Sequence, residues 1–273
     1  MTLRQSLKFW FYNSFPGFSR SFPYYGSRVY FPKDSLLFRY LCEQGVYENQ
    51  NVDMLTHLAK PGEWFFDVGT NLGFMSVPVL AMSPECRVLS FEPSPGALPF
   101  LQRTMAGSPH AARWRLVTKA AGAAVGRTTF TVSSPASSPY DGIRKAQPLS
   151  GERQVEVALT TIDTEWKLLG SPPVSVIKLD VEGAELDALR GAAECLQTQR
   201  PAVLLEWNLG NLQAFRCTAF ELLKFARELE AELFALPHLV EIRTDRELEL
   251  QMMRTESFLL SPPKLSKGAR TDS

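Results

Sequence analysis

The stretch FFDVGTNLGF, residues 65–74, runs three apolar or aromatic positions around an aspartate and then turns through Gly-Thr-Asn-Leu-Gly. A short apolar run of this kind, bounded by turn residues and followed by GFMSVPVLAMSP, reads as a buried strand leading into a helix. Asp67, Gly69, Asn71 and Gly73 then sit in one strand-to-helix turn. Glycines at 69 and 73 remove side chains where a backbone must come close to a ligand, and the free N–H groups of the following helix point to the same place. A dinucleotide loop is spaced Gly-x-Gly-x-x-Gly. Here Asn71 holds the middle position and a third glycine is absent, so a pyrophosphate cradle fits poorly.

Working outward, RVLSFEP is a second strand, and it delivers Glu92 nineteen residues beyond Gly73. An acid at the end of the second strand of such a unit accepts hydrogen bonds from a ribose diol. Loop and acid together point to a small adenosine-type cofactor at the carboxyl edge of a parallel sheet. Alternating strands and helices continue with GALPFLQRTMAG (helix), RWRLVTKAA (strand), VSVIKLD (strand), GAELDALRGAAECL (helix), PAVLLEW (strand) and AFELLKFARELEAE (amphipathic helix). ELFALPHLVEI and ESFLLSP close the chain as strands. This is the signature of βαβ units. The alternation breaks between 122 and 160, where GRTTFTV and QVEVALTTI form the arms of an antiparallel hairpin around a Ser/Pro/Gly-rich loop.

The chain has 273 residues, 45% of them hydrophobic, and a formal net charge of zero. That suffices for a core and gives no basic surplus of the kind nucleic-acid binding needs. Cys42, Cys86, Cys195 and Cys217 form no CxxC pair, which suits reduced thiols and a cytoplasmic setting. There is neither an 18-residue apolar run nor a compact signal-peptide core, so no transmembrane segment is expected. Three regions follow: an aromatic-rich cap with helices over 1–60, the main domain over 61–261 and a tail over 262–273.

The cap contains Phe9, Trp10, Phe11, Tyr12, Phe15, Phe18, Phe22, Tyr24, Tyr25, Tyr30 and Phe31. Packing over the sheet or against a second copy of the chain is the favoured reading. A lid for a sugar or flat acceptor comes next, and peripheral membrane contact last, because Lys8, Arg20 and Arg28 alone are few. The loop over 133–151, with its Tyr140-Asp141-Gly142 turn, is a linker or an acceptor gate.

DVGTNLG, SFEP, TTIDT, IKLDVEGAELDALRGA and PAVLLEWN occur in the order found in FkbM-type methyltransferases, and the chain resembles that family from about Glu48 to Asn208. IKLDVEGAE is the most specific of these blocks. The resemblance implies an α/β, Rossmann-like, class I methyltransferase fold: a doubly wound, mostly parallel seven-stranded sheet with the last strand antiparallel. It implies S-adenosylmethionine as donor and an oxygen acceptor on a sugar, glycan or natural product. By resemblance, Asp67, Gly69, Asn71 and Gly73 line the methionine end, with Asp180 beside the methyl position. Glu92 holds the ribose, Pro93 and Ser94 flank the adenosine, and Lys119, Ala120 and Ala121 approach the adenine.

Methyl transfer needs the acceptor oxygen aligned and its proton removed. His57, His110 and His238 lie away from the carboxyl edge or read as ordinary histidines. Carboxylates remain. In one mechanism Asp180 or Glu182 is the base or orients the hydroxyl, with Glu206 on the neighbouring strand end. In the second, Asp180, Glu206 and Asn208 ligate a divalent cation such as Mg²⁺. Glu185 reads as an acid complementing the helix dipole. The rival classes are a nicotinamide-dependent oxidoreductase, weakened by the missing glycine and the lack of a Tyr-x-x-x-Lys pair, and a binding module without chemistry. Retention of Asp67, Glu92, Asp180 and Glu206 together argues against the latter.

Overall fold

Period-two alternation along the strands decides which side chains share a face, and the two faces of the sheet bury different clusters. Phe66, Val68, Leu89, Phe91, Ile177, Leu179, Val203 and Leu205 lie on one side. Phe65, Val88, Val176, Leu204 and Leu259 lie on the other. A strand buried on both faces reads as a largely apolar run, and WFFDV and VSVIKL are buried at every position, with Asp67, Ser175 and Lys178 as their polar residues. Each fully buried Phe or Leu of these runs contributes roughly 1.5–3 kcal/mol relative to exposure.

The protein is described from a computed structural model over residues 1–14, 20–133, 142–143, 152–215 and 217–262. The cap consists of α1 (Leu3–Ser14), β1 (Ser21–Tyr24), β2 (Ser27–Tyr30), α2 (Leu36–Gln44) and α3 (Asn49–Leu58). The first βαβαβ half follows: β3 (Trp64–Val68), α4 (Ser76–Met82), β4 (Arg87–Phe91), α5 (Leu98–Ala106) and β5 (Trp114–Val117). Next come β6 (Ala120–Ala121), β7 (Gly126–Val132) and β8 (Arg153–Thr160). The second half is α6 (Ile162–Leu168), β9 (Val174–Leu179), α7 (Glu185–Arg190), α8 (Ala193–Gln199) and β10 (Ala202–Glu206). The chain ends with α9 (Leu209–Phe215), α10 (Glu221–Glu228), β11 (Glu232–Ala235), β12 (Val240–Ile242), α11 (Asp245–Met252) and β13 (Ser257–Ser261).

The main sheet has the order β12-β11-β13-β10-β9-β3-β4-β5. Strands β10, β9, β3, β4 and β5 are parallel, and β13 runs antiparallel to β10 and to β11. The expected mostly parallel α/β sheet with an antiparallel closing strand is present. Its strand number is eight rather than seven, because ELFALPHLVEI folds as two strands and β12 adds an edge to β11. The expected hairpin is β7–β8, which pairs through β6 into a separate three-stranded sheet.

Three local differences have physical causes. The helix expected over GAELDALRGAAECL is two helices: at the break the Gly191 carbonyl accepts the Asp163 N–H at 2.9 Å, and a β-carbon at 191 would come within 2.1 Å of the Gly122 carbonyl oxygen. Asp163, from the TTIDT block, restarts the chain as α8 by accepting the backbone N–H groups of Glu194 and Cys195, both at 2.9 Å. Helix α11 is set by a capping box between Thr244 and Glu247. The hairpin β1–β2 sits inside the aromatic cap, where Phe22 and Tyr24 pack on Phe74 with ring centroids 6.0 and 5.5 Å apart. The cap thus buttresses the loop with which the sequence reading began.

Cys42, Cys86 and Cys195 are buried free thiols, and Cys217 is a half-buried one. Among the described residues no helix is long and apolar enough to cross a membrane. Most of the 133–151 loop, Phe15 and Phe18, and the tail beyond Pro262 lie outside the described residues.

Candidate active site

Strand parity places Asp67, Ser90, Lys178 and Glu206 on the cap-facing side of the sheet, near the carboxyl ends of four strands. Asp67 lies next to Ser90 in one register and to Lys178 in the other. A buried polar chain results. Trp114 Nε1 donates to Ser90 Oγ at 2.8 Å, Ser90 and Ser76 hydroxyls are 3.0 Å apart, and Ser76 Oγ donates to Asp67 Oδ2 at 2.6 Å. Asp67 Oδ1 accepts no hydrogen bond and lies 3.9 Å from Lys178 Nζ. Burial raises the Asp67 pKa, opposed by Lys178 and by Ser76.

Lys178 joins the layers of the site. Its ammonium donates to Asp180 Oδ2 at 2.9 Å and to the Gly69 carbonyl at 3.3 Å. Burial pulls its pKa down, but Asp180, Asp67 and Glu48 outweigh that and hold it above the ordinary lysine value. The glycine loop is pressed against the same strand end. Gly69 has φ +80°, and a β-carbon there would stand 1.8 Å from the Asp180 carbonyl oxygen. The close approach that demands glycine at 69 is therefore one between two loops of the chain. At Gly73 a β-carbon would meet the Trp114 ring at 3.0 Å, so that residue packs inward and is absent from the crevice walls. Asp67 likewise lies fully buried beneath the loop instead of lining the crevice, because its parity points it into the Ser76–Lys178 network.

Asn71 takes a left-handed conformation (φ +51°), and its N–H donates to Glu92 Oε2 at 2.7 Å. The Ser94 N–H donates to the other Glu92 oxygen at 2.7 Å. Two backbone donors fix the carboxylate, and this is the geometry that lets it present its remaining lone pairs in a set direction. Ser94 itself is buried, and its hydroxyl accepts the Gly96 N–H at 3.1 Å, so it builds the turn and does not wall the site.

Two cavities meet at this point. A narrow slot of about 40 Å³ is lined by Pro93, Lys119, Ala120, Ala121, Phe130, Ile143 and Val181 together with Gly69, Glu92 and Asp180. A larger crevice of about 380 Å³ is lined by Tyr40, Tyr47, Thr70, Asn71, Phe74, Met75, Lys178, Glu182, Glu206, Asn208 and Asn211, again with Gly69, Glu92 and Asp180. Flat apolar walls opening past a fixed carboxylate into a polar crevice fit an adenosine-type cofactor: aromatic base, ribose diol, charged end. No histidine lines either cavity.

The far wall of the crevice is acidic. Asp180 and Glu206 both line it as expected, together with Glu182, Asn208 and Asn211. Asn211 Nδ2 donates to Glu182 Oε2 at 3.1 Å, and Asn208 Nδ2 donates to Glu206 Oε1 at 2.6 Å. Burial, then the neighbouring Asp180 and Glu182, push the Glu206 carboxyl up to about 9. Glu48, across the crevice, is also raised, by burial first and by Asp180 second. Glu185 does more than complement a helix dipole: its Oε1 accepts the N–H groups of Val181 and Gly183 at 3.0 and 3.2 Å and so shapes the loop that carries Glu182.

The three residues read as cation ligands, Asp180, Glu206 and Asn208, supply two carboxylates and one amide. Among the described residues no three His, Cys, Asp or Glu side chains come together to hold a metal ion. Asn208 Oδ1 is already engaged as the acceptor of the Asn211 N–H at 2.8 Å. Several site residues escaped sequence reasoning. Lys178 was legible from parity, sharing a face with Val176 in VSVIKLD. Tyr47, Asn211, Phe130 and Ile143 reach the site from the cap, from α9 and from the insert, and Glu48 lines an adjoining cavity that shares Lys178, Asp180 and Glu206; no local signal marks them.

The sequence pattern of the family described as the methyltransferase FkbM domain matches residues 67–235. No curated protein matches the chain. Among solved structures it is similar to a methyltransferase FkbM from Methylobacillus flagellatus KT, at 16% identity and TM-score 0.46 over 77% of this chain and 50% of that one. It is similar to a putative O-methyltransferase from Klebsiella pneumoniae, at 14% identity and TM-score 0.43 over 79% and 80%. An O-methyltransferase from Bacillus cereus in complex with SAH matches at 12% identity and TM-score 0.44 over 79% and 80%. The chain spans half the length of the Methylobacillus protein. With the family pattern running from the Asp67 strand to the end of β11, more than half of its residues, the chain belongs to the FkbM methyltransferase domain family.

Proposed function

We propose that the protein is an S-adenosylmethionine-dependent methyltransferase acting on a hydroxyl group of a sugar, glycan or natural product. The observation that carries this reading is the continuity of slot and crevice, with Gly69, Glu92 and Asp180 lining both. When bound, S-adenosylmethionine would supply a methyl group already activated on a sulfonium. The chain's own residues then have three tasks. Pro93, Ala120, Phe130, Ile143 and Val181 give the adenine apolar surfaces, and Glu92 receives the ribose hydroxyls. Gly69, Asn71 and Asp180 border the methionine end.

The acidic wall handles the acceptor. Glu206 keeps its proton at neutral pH and donates a hydrogen bond to an acceptor oxygen. Asp180, its Oδ2 fixed by Lys178, or Glu182, anchored by Asn211, takes the hydroxyl proton. A positioned base of this kind contributes typically about 10²–10⁴-fold. Alignment of the oxygen contributes on the order of 7–11 kcal/mol. The amide-and-carboxyl character of the crevice supports a hydroxyl-rich acceptor over an apolar one.

The test is transfer of labelled methyl from S-adenosylmethionine to a panel of sugars, phenols and amines. Label in alkali-stable methyl ethers of sugars is the expected result. Label confined to amines or to carbon would remove the O-methyl reading while leaving the donor in place.

A further inference from the structure

Helix α1 has two faces that do different things. Its inner face is locked to the body. Asn13 Nδ2 donates to Asp34 Oδ1 and the Asp34 N–H donates to Asn13 Oδ1, both at 2.8 Å, and Gln5 Nε2 donates to the Glu43 carbonyl at 2.7 Å. Phe9 stacks on Phe38 at 5.7 Å, and Tyr12 packs edge-on against Phe22 and Phe38. These contacts fix the rotation of the helix about its axis. They leave Leu3 79%, Leu7 56% and Trp10 59% exposed, with Phe11 beside them. At 3.6 residues per turn those four positions fall within about 100° of arc, a continuous apolar stripe.

Charge tells what would cover it. Arg4 and Lys8 lie at the edge of the stripe next to Phe11, one turn apart. The first 33 residues carry Arg4, Lys8, Arg20, Arg28 and Lys33 and no acid. The nearest acids on the supporting elements are already engaged, Asp34 by Asn13 and Glu43 by Arg39 at 3.3 Å. An exposed Trp/Leu/Phe stripe flanked on one edge by cations, on a helix with no acid, is the arrangement that lies in an anionic lipid interface, apolar side chains in the acyl boundary and cations at the headgroups. A protein partner with an acidic rim would need its own apolar patch; a bilayer offers both components everywhere.

We infer that α1 docks the protein on the surface of an anionic membrane. The three basic residues weighed from sequence alone were too few to support this; the structure adds the fixed outward stripe, with Arg4 and Lys8 along its edge. A single short helix gives reversible binding, so the protein would exchange between surface and solution.

The test is co-sedimentation of the full chain with vesicles of equal parts phosphatidylglycerol and phosphatidylcholine, against pure phosphatidylcholine. The expected result is binding to the anionic vesicles only, reduced by added salt. It should weaken about tenfold or more for the Leu7→Glu/Trp10→Glu double variant and stay unchanged for Leu168→Glu, an exposed apolar position on α6. Light scattering of the same proteins reads the other occupant. Absence of vesicle binding by the native chain, or a dimer that the double variant dissociates, would overturn the proposal. Neither measurement depends on methyl transfer.

Discussion

On the Glu92 side of the crevice both carboxylate oxygens accept backbone N–H groups at 2.7 Å, from Asn71 and Ser94. On the opposite side the Glu206 carboxyl meets one side-chain amide and two acidic neighbours, Asp180 and Glu182. The first side is built to hold a charge in place, with donors supplied by the turn itself. The second crowds carboxyls around one buried lysine, and the electrostatic cost appears as a proton retained on Glu206. Preorganised donors suit the binding of an invariant cofactor, and a crowded, titratable wall suits the handling of a proton. Experiments that strain one side and spare the other are the way to break this contrast.

The largest effect is expected at the lysine on which both sides depend. Lys178→Met leaves Asp67 and Asp180 without their counter-charge, and loss of one partner of a buried pair costs about 3–5 kcal/mol. Urea denaturation should show that loss, partly restored in the Lys178→Met/Asp180→Asn double variant. An unchanged midpoint would mean that the buried cluster is not what joins the sides.

Gly69→Ala comes next. The strain at φ +80° and the 1.8 Å approach to the Asp180 carbonyl force the two loops apart. A destabilisation of about 1–3 kcal/mol is expected, together with loss of S-adenosylhomocysteine binding by calorimetry. At Gly73, where φ is +88°, a β-carbon meets side chains, Trp114 at 3.0 Å and Leu101 at 3.3 Å, so Gly73→Ala should also destabilise the fold but bind nearly as well as the native chain. Equal losses of binding at the two glycines would refute the assignment of Gly69 alone to the crevice.

Glu92→Gln keeps the shape of the side chain but removes a charged acceptor. Affinity for S-adenosylhomocysteine should fall by about 1.5 kcal/mol, roughly tenfold, and the urea midpoint should fall as well, because the new amide NH2 faces one of the two backbone N–H donors of Asn71 and Ser94. A variant that bound as tightly as the native protein would take the ribose role from Glu92.

The smallest effect at pH 7 separates the acidic wall from the rest. The Glu206 pKa is raised from its ordinary 4.5 to about 9, so the folded state holds a proton that the unfolded state releases. Its contribution to stability is full below about pH 4.5 and is lost as pH rises toward 9. Denaturation midpoints measured from pH 5 to 9 should therefore fall with pH in the native protein. In Glu206→Gln the slope should flatten, and the variant should gain on the native protein most at the alkaline end of that range. Parallel pH profiles for the two proteins would contradict a retained proton.

How much of this was legible in the sequence depends on whether the signal was local. Strand parity and the glycine turn are local, and they located β3, β4, β9 and β10 and brought Glu92, Asp180, Glu182 and Glu206 to one edge. Asp67 was legible as a site residue but not as a buried one, since its burial depends on Ser76 and on Lys178 two strand positions before Asp180. Gly191 shows the same limit: the need for glycine at the break between α7 and α8 comes from Gly122, far away in the chain. The α11 capping box, Thr244 to Glu247, is a local signal that the sequence does carry. The contributions of Tyr47, Glu48 and Ile143 come from packing of the cap and insert, which no periodicity encodes.

The central claim is that slot and crevice together bind an adenosine-type methyl donor. Calorimetric titration of the native chain with S-adenosylhomocysteine and, separately, with NAD tests it most directly. The account predicts micromolar binding of S-adenosylhomocysteine, weakened in Glu92→Gln, and no heat with NAD. Binding of NAD alone, or of neither ligand, would contradict it.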